Sequence, residues 1–226
     1  MDKSEYFSRQ IKLWGMERQS NLENRRVLIV GAGGLGSSLA YALGTSGIGE
    51  IDIVDFDIVS LSNIHRQIAF KLEDRDRYKC DVVAERVREK SPFVSISGHQ
   101  LSFSQFISKS NGYRADLIID ASDNMDVRFE IERFAKSIET PWIYGSVEEF
   151  NGQACLFDKS SLSGIFGTKY GELGGVHAPI VMQIASIQAN LAIRYLLGLN
   201  VAKDRLYYIY FDKFGDMVLQ RFNMPI

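Results

Sequence analysis

Three glycines, Gly31, Gly33 and Gly36, stand at G-x-G-x-x-G spacing directly after the aliphatic run Val27-Leu28-Ile29-Val30. A turn of that kind, opening a helix, lets phosphate oxygens approach main-chain N–H groups and the helix N-terminus. Gly34 removes one more Cβ, so a ligand can lie against bare main chain there. Asp55 closes the next apolar run, where a carboxylate can take a ribose hydroxyl. These residues point to an adenine nucleotide and leave three readings open: a nicotinamide or flavin dinucleotide, ATP, or a purely structural turn. The polar groups that follow bear on the choice: Asn63 with Arg66 and Gln67, then Lys79, then Asp123. Hydride transfer needs no pair of cations and an acid around the cofactor phosphates. Cleavage of a triphosphate does, because negative charge builds on the phosphoryl oxygens and the leaving pyrophosphate, and fixed cations stabilise it. A magnesium ion bridging the phosphates would need a carboxylate, and Asp123 is the candidate.

The elements that must position these groups are legible in the hydrophobic pattern. Residues 4–24 read as an amphipathic helical arm (1–24) broken near Gly15. Val27–Val30 reads as a strand buried on both faces, and Leu39, Ala40, Ala42 and Leu43 carry helical spacing after the glycines. Ile51–Asp55, Val94–Ser97, Asp116–Ala121 and Trp142–Val147 are further strands. Lys79–Glu89 and Met125–Ser137 are helices, and Ser102 is placed to cap a short helix from Phe103. The β-α alternation predicts an α/β fold: a Rossmann-like, doubly wound, mostly parallel sheet. Gln153–Phe157 then follows without an intervening helix. A glycine-rich crossover loop spans 158–177, a long helix runs from Ala178 to Leu197, and Leu206–Phe211 with Asp216–Phe222 forms a hairpin. The sheet is therefore expected to be extended by C-terminal antiparallel strands. The polar stretch Phe56–Gln67 falls at the carboxyl end of a parallel strand, the ligand side of an open α/β sheet.

The chain has 226 residues, a formal net charge of −2 and two cysteines. The length fits one domain over 1–226 with a substantial core. The mixed charge argues against nucleic acid as the main partner. The N-terminus has no apolar signal core and no run reaches membrane-spanning length, so a cytoplasmic protein with no membrane partner is expected. Neither Cys80 nor Cys155 belongs to a C-x-x-C pair, so a cysteine-rich zinc site is not available.

At this point the sequence resembles the MoeB/ThiF/HesA family, the bacterial relatives of ubiquitin-activating enzymes. The matching stretches are Ser8-Arg9-Gln10-Ile11, Gly31-Ala32-Gly33-Gly34-Leu35-Gly36, Asp55-Phe56-Asp57, Leu61-Ser62-Asn63-Ile64-His65-Arg66-Gln67, Lys79, Ser122-Asp123-Asn124, Gly152-Gln153 and Gly175-Val176-His177-Ala178-Pro179. They run in order over nearly the whole chain. The resemblance implies ATP-dependent adenylation of the Gly-Gly tail of a small ubiquitin-like sulfur-carrier protein, of the kind that serves thiamine or molybdopterin synthesis. It implies that Gly31, Gly33, Gly34 and Gly36 cradle ATP, that Asp55 holds the ribose with Asp57 as a second acid, and that Asn63, Arg66 and Lys79 hold the triphosphate. Ser62 and Gln67 belong to the same nucleotide-binding stretch. Asp123 would coordinate magnesium, assisted by Asn124. Arg9 would be donated across a homodimer interface into the neighbouring site.

The chain departs from its relatives in two respects. Many of them carry two C-x-x-C pairs for structural zinc; this chain has none, and no zinc is expected. Many also carry a cysteine in the crossover loop, whereas residues 158–177 contain none. Adenylation alone is therefore expected, with a separate protein delivering sulfur. The alternative is an NAD(P)-dependent oxidoreductase on the same sheet, which requires none of Asn63, Arg66, Lys79 and Asp123.

Overall fold

The structure, a computed structural model, describes residues 2–166 and 174–226. The N-terminal arm consists of α1 (Lys3–Tyr6), α2 (Ser8–Trp14) and α3 (Met16–Leu22). The break between α2 and α3 is Gly15, whose φ of 87° lies in the left-handed region that a side chain disfavours. The arm is anchored by Phe7 and Leu22, both buried. The buried Gln19 amide ties it to the loop after the first long helix by donating to the Ser46 carbonyl at 3.0 Å.

The body follows as β1 (Arg26–Val30), α4 (Gly34–Gly44), β2 (Glu50–Val54), α5 (Leu61–Ile64), α6 (Lys79–Lys90), β3 (Ser95–His99), α7 (Phe103–Lys109), β4 (Leu117–Asp120), α8 (Met125–Ser137) and β5 (Trp142–Glu148). After these come β6 (Asn151–Phe157), α9 (Ser163–Phe166), α10 (Ala178–Leu196), β7 (Arg205–Phe211) and β8 (Met217–Asn223). One sheet holds all eight strands in the order β3-β2-β1-β4-β5-β6-β7-β8. The first five pair in parallel and the last three join antiparallel. The expected doubly wound sheet with its antiparallel extension is what the chain adopts.

The central strands β1 and β4 are covered on both faces, which is why residues 27–30 and 117–119 read as unbroken aliphatic runs. Val27 and Ile29 point to the layer of α4, α6 and α10. Leu28 and Val30 point to the layer of α7 and α8. The chain winds outward from β1 to β3, then returns to place β4 on the other side of β1. A crevice opens at that reversal, at the carboxyl ends of β1 and β4. Predicted boundaries shift by a residue or two. The helix α4 starts at Gly34, inside the glycine motif, and stops at Gly44. Within the loop 158–177, Gly164 lies in α9 and Gly174 and Gly175 lie outside helices and strands, while Gly167 and Gly171 lie outside the described residues.

Candidate active site at the strand reversal

The glycine turn is shaped by close approach of backbones. Gly31 has φ 102°, and a Cβ there would meet the carbonyl oxygen of Ala121, just past β4, at 2.6 Å. A Cβ on Gly36 would strike the Gly31 carbonyl, so the third glycine serves the packing of α4 onto its own turn. A Cβ on Gly34 would meet Val181 of α10 at 2.7 Å. The turn is thus wedged between β4 and α10, and its Gly31 and Ala32 N–H groups donate to the Val54 carbonyl and the Asp55 carboxylate.

A cavity of about 560 Å³ occupies the crevice. It crosses the top of the sheet from the α10 side, at Gly34 and Val181, to the α7–α8 side, at Leu101, Phe103 and Val127. Of the residues singled out in the sequence, Gly31, Gly33, Gly34, Asp55 and Asp57 line it from the strand ends. Arg66, Gln67, Lys79, Asp123 and Asn124 line it from the loops and helix starts. Segments far apart in sequence are therefore brought to one hollow. Gly36, Ser62, Asn63 and Arg9 do not line it. Gly36 is taken up by packing. Asn63 Oδ1 accepts from the Ser60 N–H at 3.0 Å and so shapes the start of α5. Ser62 is exposed, and its carbonyl holds Arg66. Arg9 is exposed on α2.

Two acids organise the floor. Asp55 accepts from the Ala32 N–H at 2.6 Å and from the Asp57 N–H at 2.7 Å, which ties the end of β2 to the glycine turn. Burial pushes its carboxyl above the usual range, against the pull of those two N–H groups. Asp57 in turn accepts from the Lys79 ammonium at 2.8 Å. Lys79 is the first residue of α6 and is buried, with its own N–H on the Asp57 carbonyl at 2.9 Å. A phosphate entering the cavity therefore meets a lysine already held in place by a carboxylate. Arg66 is half-buried. Its Nη1 donates to the Ser62 carbonyl at 2.8 Å and to His65 Nε2 at 2.9 Å, so His65 buttresses it.

The β4–α8 turn holds the acid that faces solvent. Asn124 caps α8, its Oδ1 accepting from the N–H groups of Asp126 at 2.8 Å and Val127 at 3.2 Å. Asp123 next to it is left exposed at the rim of the cavity. Beneath them, buried Arg128 donates to Asp120 at 3.1 Å and to the Ser122 carbonyl at 2.9 Å. Its guanidinium also covers the Tyr144 ring at 5.2 Å. Arg128 lines the cavity, and the sequence analysis missed it. The available signal was its position four residues after Asn124, one turn into a predicted helix and on the face of the turn that carries Asp123.

Neither cysteine is placed for nucleophilic chemistry. Cys80 and Cys155 are fully buried, and burial pushes each thiol up to about 12.

Comparisons with known proteins agree with this architecture. The probable adenylyltransferase/sulfurtransferase MoeZ of Mycobacterium tuberculosis is 31% identical over 201 residues, covering 82% of this chain and 51% of its own length. The chain thus spans about half of that relative. The sulfur carrier protein ThiS adenylyltransferase of Escherichia coli is 32% identical over 211 residues, covering 88% of this chain and 84% of its own. Among solved structures, the Microcin C7 biosynthetic enzyme MccB in complex with N-formylated MccA shares the fold with a TM-score of 0.87 at 19% identity, over 98% of this chain and 73% of the other. The ThiF family model matches residues 7–225, from the N-terminal arm through the glycine turn and the late helix to the last strand, and the chain belongs to the ThiF family.

Proposed function

We propose that this protein adenylates the C-terminal Gly-Gly tail of a small ubiquitin-like sulfur-carrier protein with ATP, releasing pyrophosphate. The observation that carries it is the convergence of the glycine turn, Arg66, Lys79 and Asp123 on one cavity, in a chain whose relatives are named as adenylyltransferases of sulfur carriers. Residues 1–226 act as one adenylation unit. The cavity fits a nucleotide, because Gly31, Gly33 and Gly34 line it beside Asp55, Arg66 and Lys79.

A tail carboxylate oxygen attacks the α-phosphorus. The bond from that phosphorus to the oxygen bridging to the β-phosphate breaks, the electron pair leaves with pyrophosphate, and an acyl-adenylate remains. Arg66 and Lys79 take the charge that develops on the phosphates, where fixed cations in a partly water-excluded site act most strongly. Lys79 leaves Asp57 to do so. Asp55 takes the ribose. Asp123 would hold magnesium, which supplies charge neutralisation on the phosphates when bound. Among the described residues, no three His, Cys, Asp or Glu side chains are grouped to hold a metal. Such an ion would accordingly draw most of its ligands from phosphate and water.

With both thiols buried, the adenylate itself is the product, and a separate protein supplies sulfur toward thiamine, molybdopterin or a related product. The chain acts as a homodimer in which Arg9 enters the neighbouring site. ATP–pyrophosphate exchange tests the reaction: exchange is expected only when a Gly-Gly-tailed carrier is added. Exchange at full rate without carrier overturns it.

A further inference from the structure

Gln67 is 5% exposed, yet its Oε1 is buried and has no hydrogen-bond donor among the described residues. Its backbone is fixed by the α5 turn, since the Gln67 N–H donates to the Asn63 carbonyl and its own carbonyl accepts from Phe70, both at 3.1 Å. The side chain lies over the glycine turn, its Nε2 3.4 Å from where a Gly33 Cβ would stand. A buried acceptor of this kind is costly unless something supplies a donor, and Gln67 lines the cavity.

The chemistry of that donor can be narrowed. Ionised phosphates offer no hydrogen, so the triphosphate does not satisfy Oε1. The ribose end belongs to Asp55 at the β2 terminus. Gln67 stands on the α10 side of the cavity, where Gly34 faces Val181 and where Gly174 and Val176 form part of the wall. That wall runs beside the β5–β6 turn, to which it is joined by the Glu149–Val176 bridge and by the Glu149 N–H on the Gly175 carbonyl at 2.7 Å. Glycines and valines flanking a single buried acceptor suit an extended peptide that has no side chains and one N–H per residue.

Resting on the adenylation reading above, we propose that Gln67 Oε1 accepts the N–H of the last peptide bond of the carrier's Gly-Gly tail. Gln67 is then a substrate-binding and tail-selecting residue, distinct from the nucleotide contacts on either side of it. It orients the terminal carboxylate, and a tail lacking that N–H binds poorly.

The test is ATP–pyrophosphate exchange with two carriers made by ligation. One has the natural tail. The other has the last peptide N–H replaced by an ester oxygen. With wild-type enzyme the ester carrier is expected to raise the carrier KM about tenfold, the scale of one hydrogen bond, with the KM for ATP within twofold. Gln67→Met, of similar length and without the acceptor, is expected to give that same raised KM with both carriers. An unchanged KM for the ester carrier on wild-type enzyme overturns the assignment, and this arm needs no variant to fold. Gln67→Met weakening ATP while leaving the carrier KM unchanged also overturns it, since the amide would then serve the nucleotide. No exchange with the natural tail sinks the adenylation reading itself, and the Gln67 assignment with it.

Discussion

Arg66 and Lys79 are both cations on one cavity, but they are held in different ways. Lys79 is buried and gripped by Asp57, so its ammonium is pre-positioned at the cavity. Among the described residues Arg66 rests on a backbone carbonyl and an imidazole, with no ion pair to break. Asp123, exposed beside the capping Asn124, has no structural duty in α8. Its loss should therefore cost chemistry and not stability. Arg66→Ala and Asp123→Ala are each expected to lower carrier-dependent exchange by about 100-fold or more, the scale of one transition-state charge contact. Their melting temperatures should stay near that of the wild type. Exchange assays paired with thermal melts check both halves, and near-normal rates in both variants would remove the proposed roles.

At the scale of elements, two polar clusters, each centred on a buried carboxylate, hold the sheet and its surroundings together. Asp120 ends β4 fully buried and is paired with Arg128 of α8, which fixes the turn that presents Asp123. Arg128→Met strands a buried carboxylate. A loss of about 3–5 kcal/mol in denaturant unfolding is expected, with part of it recovered when Asp120→Asn is added. The second cluster joins β1, β2, β3 and the α7–β4 loop. Asp52 accepts from His99 at 2.6 Å, Tyr113 at 2.7 Å and Arg26 at 2.9 Å. Burial pushes this carboxyl up, but the hydrogen bonds from His99, Tyr113 and Arg26 outweigh it and leave it below the usual carboxylate range. The native state thus binds fewer protons at Asp52 than the unfolded chain does. Its stabilisation is present above the ordinary carboxylate range and is lost as pH falls through it. Melting temperatures should drop on acidification below about pH 4. Asp52→Asn should be less stable at neutral pH and show a shallower acid limb. An identical acid limb in the variant would assign the effect to other carboxylates.

For the whole molecule, the decisive question is whether one chain completes a site. Arg9 lies exposed on an arm that packs against the Gly47 corner, and it does not line the cavity of its own chain. A role for it in adenylation therefore requires a second copy. Arg9→Ala and Asp123→Ala proteins, each inactive alone, should regain about a quarter of wild-type exchange when mixed in equal amounts, because random pairing makes about half the dimers mixed and each mixed dimer has one intact site. No rescue despite subunit exchange shown by mass would exclude a shared site. The exposed Leu13 and Met16 on the same arm give that pairing apolar surface to cover.

The amino-acid sequence by itself determined the order and kind of the elements, because buried parallel strands must be continuously apolar and a glycine cluster between strand and helix has few structural uses. It also picked out most of the charged residues around the cavity, namely Asp55, Asp57, Arg66, Lys79 and Asp123. It could not tell Asp123 from Asn124 as the helix cap, Gly36 as a packing residue from Gly34 as a wall of the hollow, or Asn63 as a turn former from Arg66 beside it. The glycine distinction depends on partners far away in the chain, Ala121 and Val181, which meet the turn at the reversal between β1 and β4, and the other two rest on local hydrogen bonds that only the folded loops select. Arg128 and the orphaned oxygen of Gln67 became visible only there, because burial and hydrogen-bond satisfaction are properties of the packed chain and not of any local stretch of it.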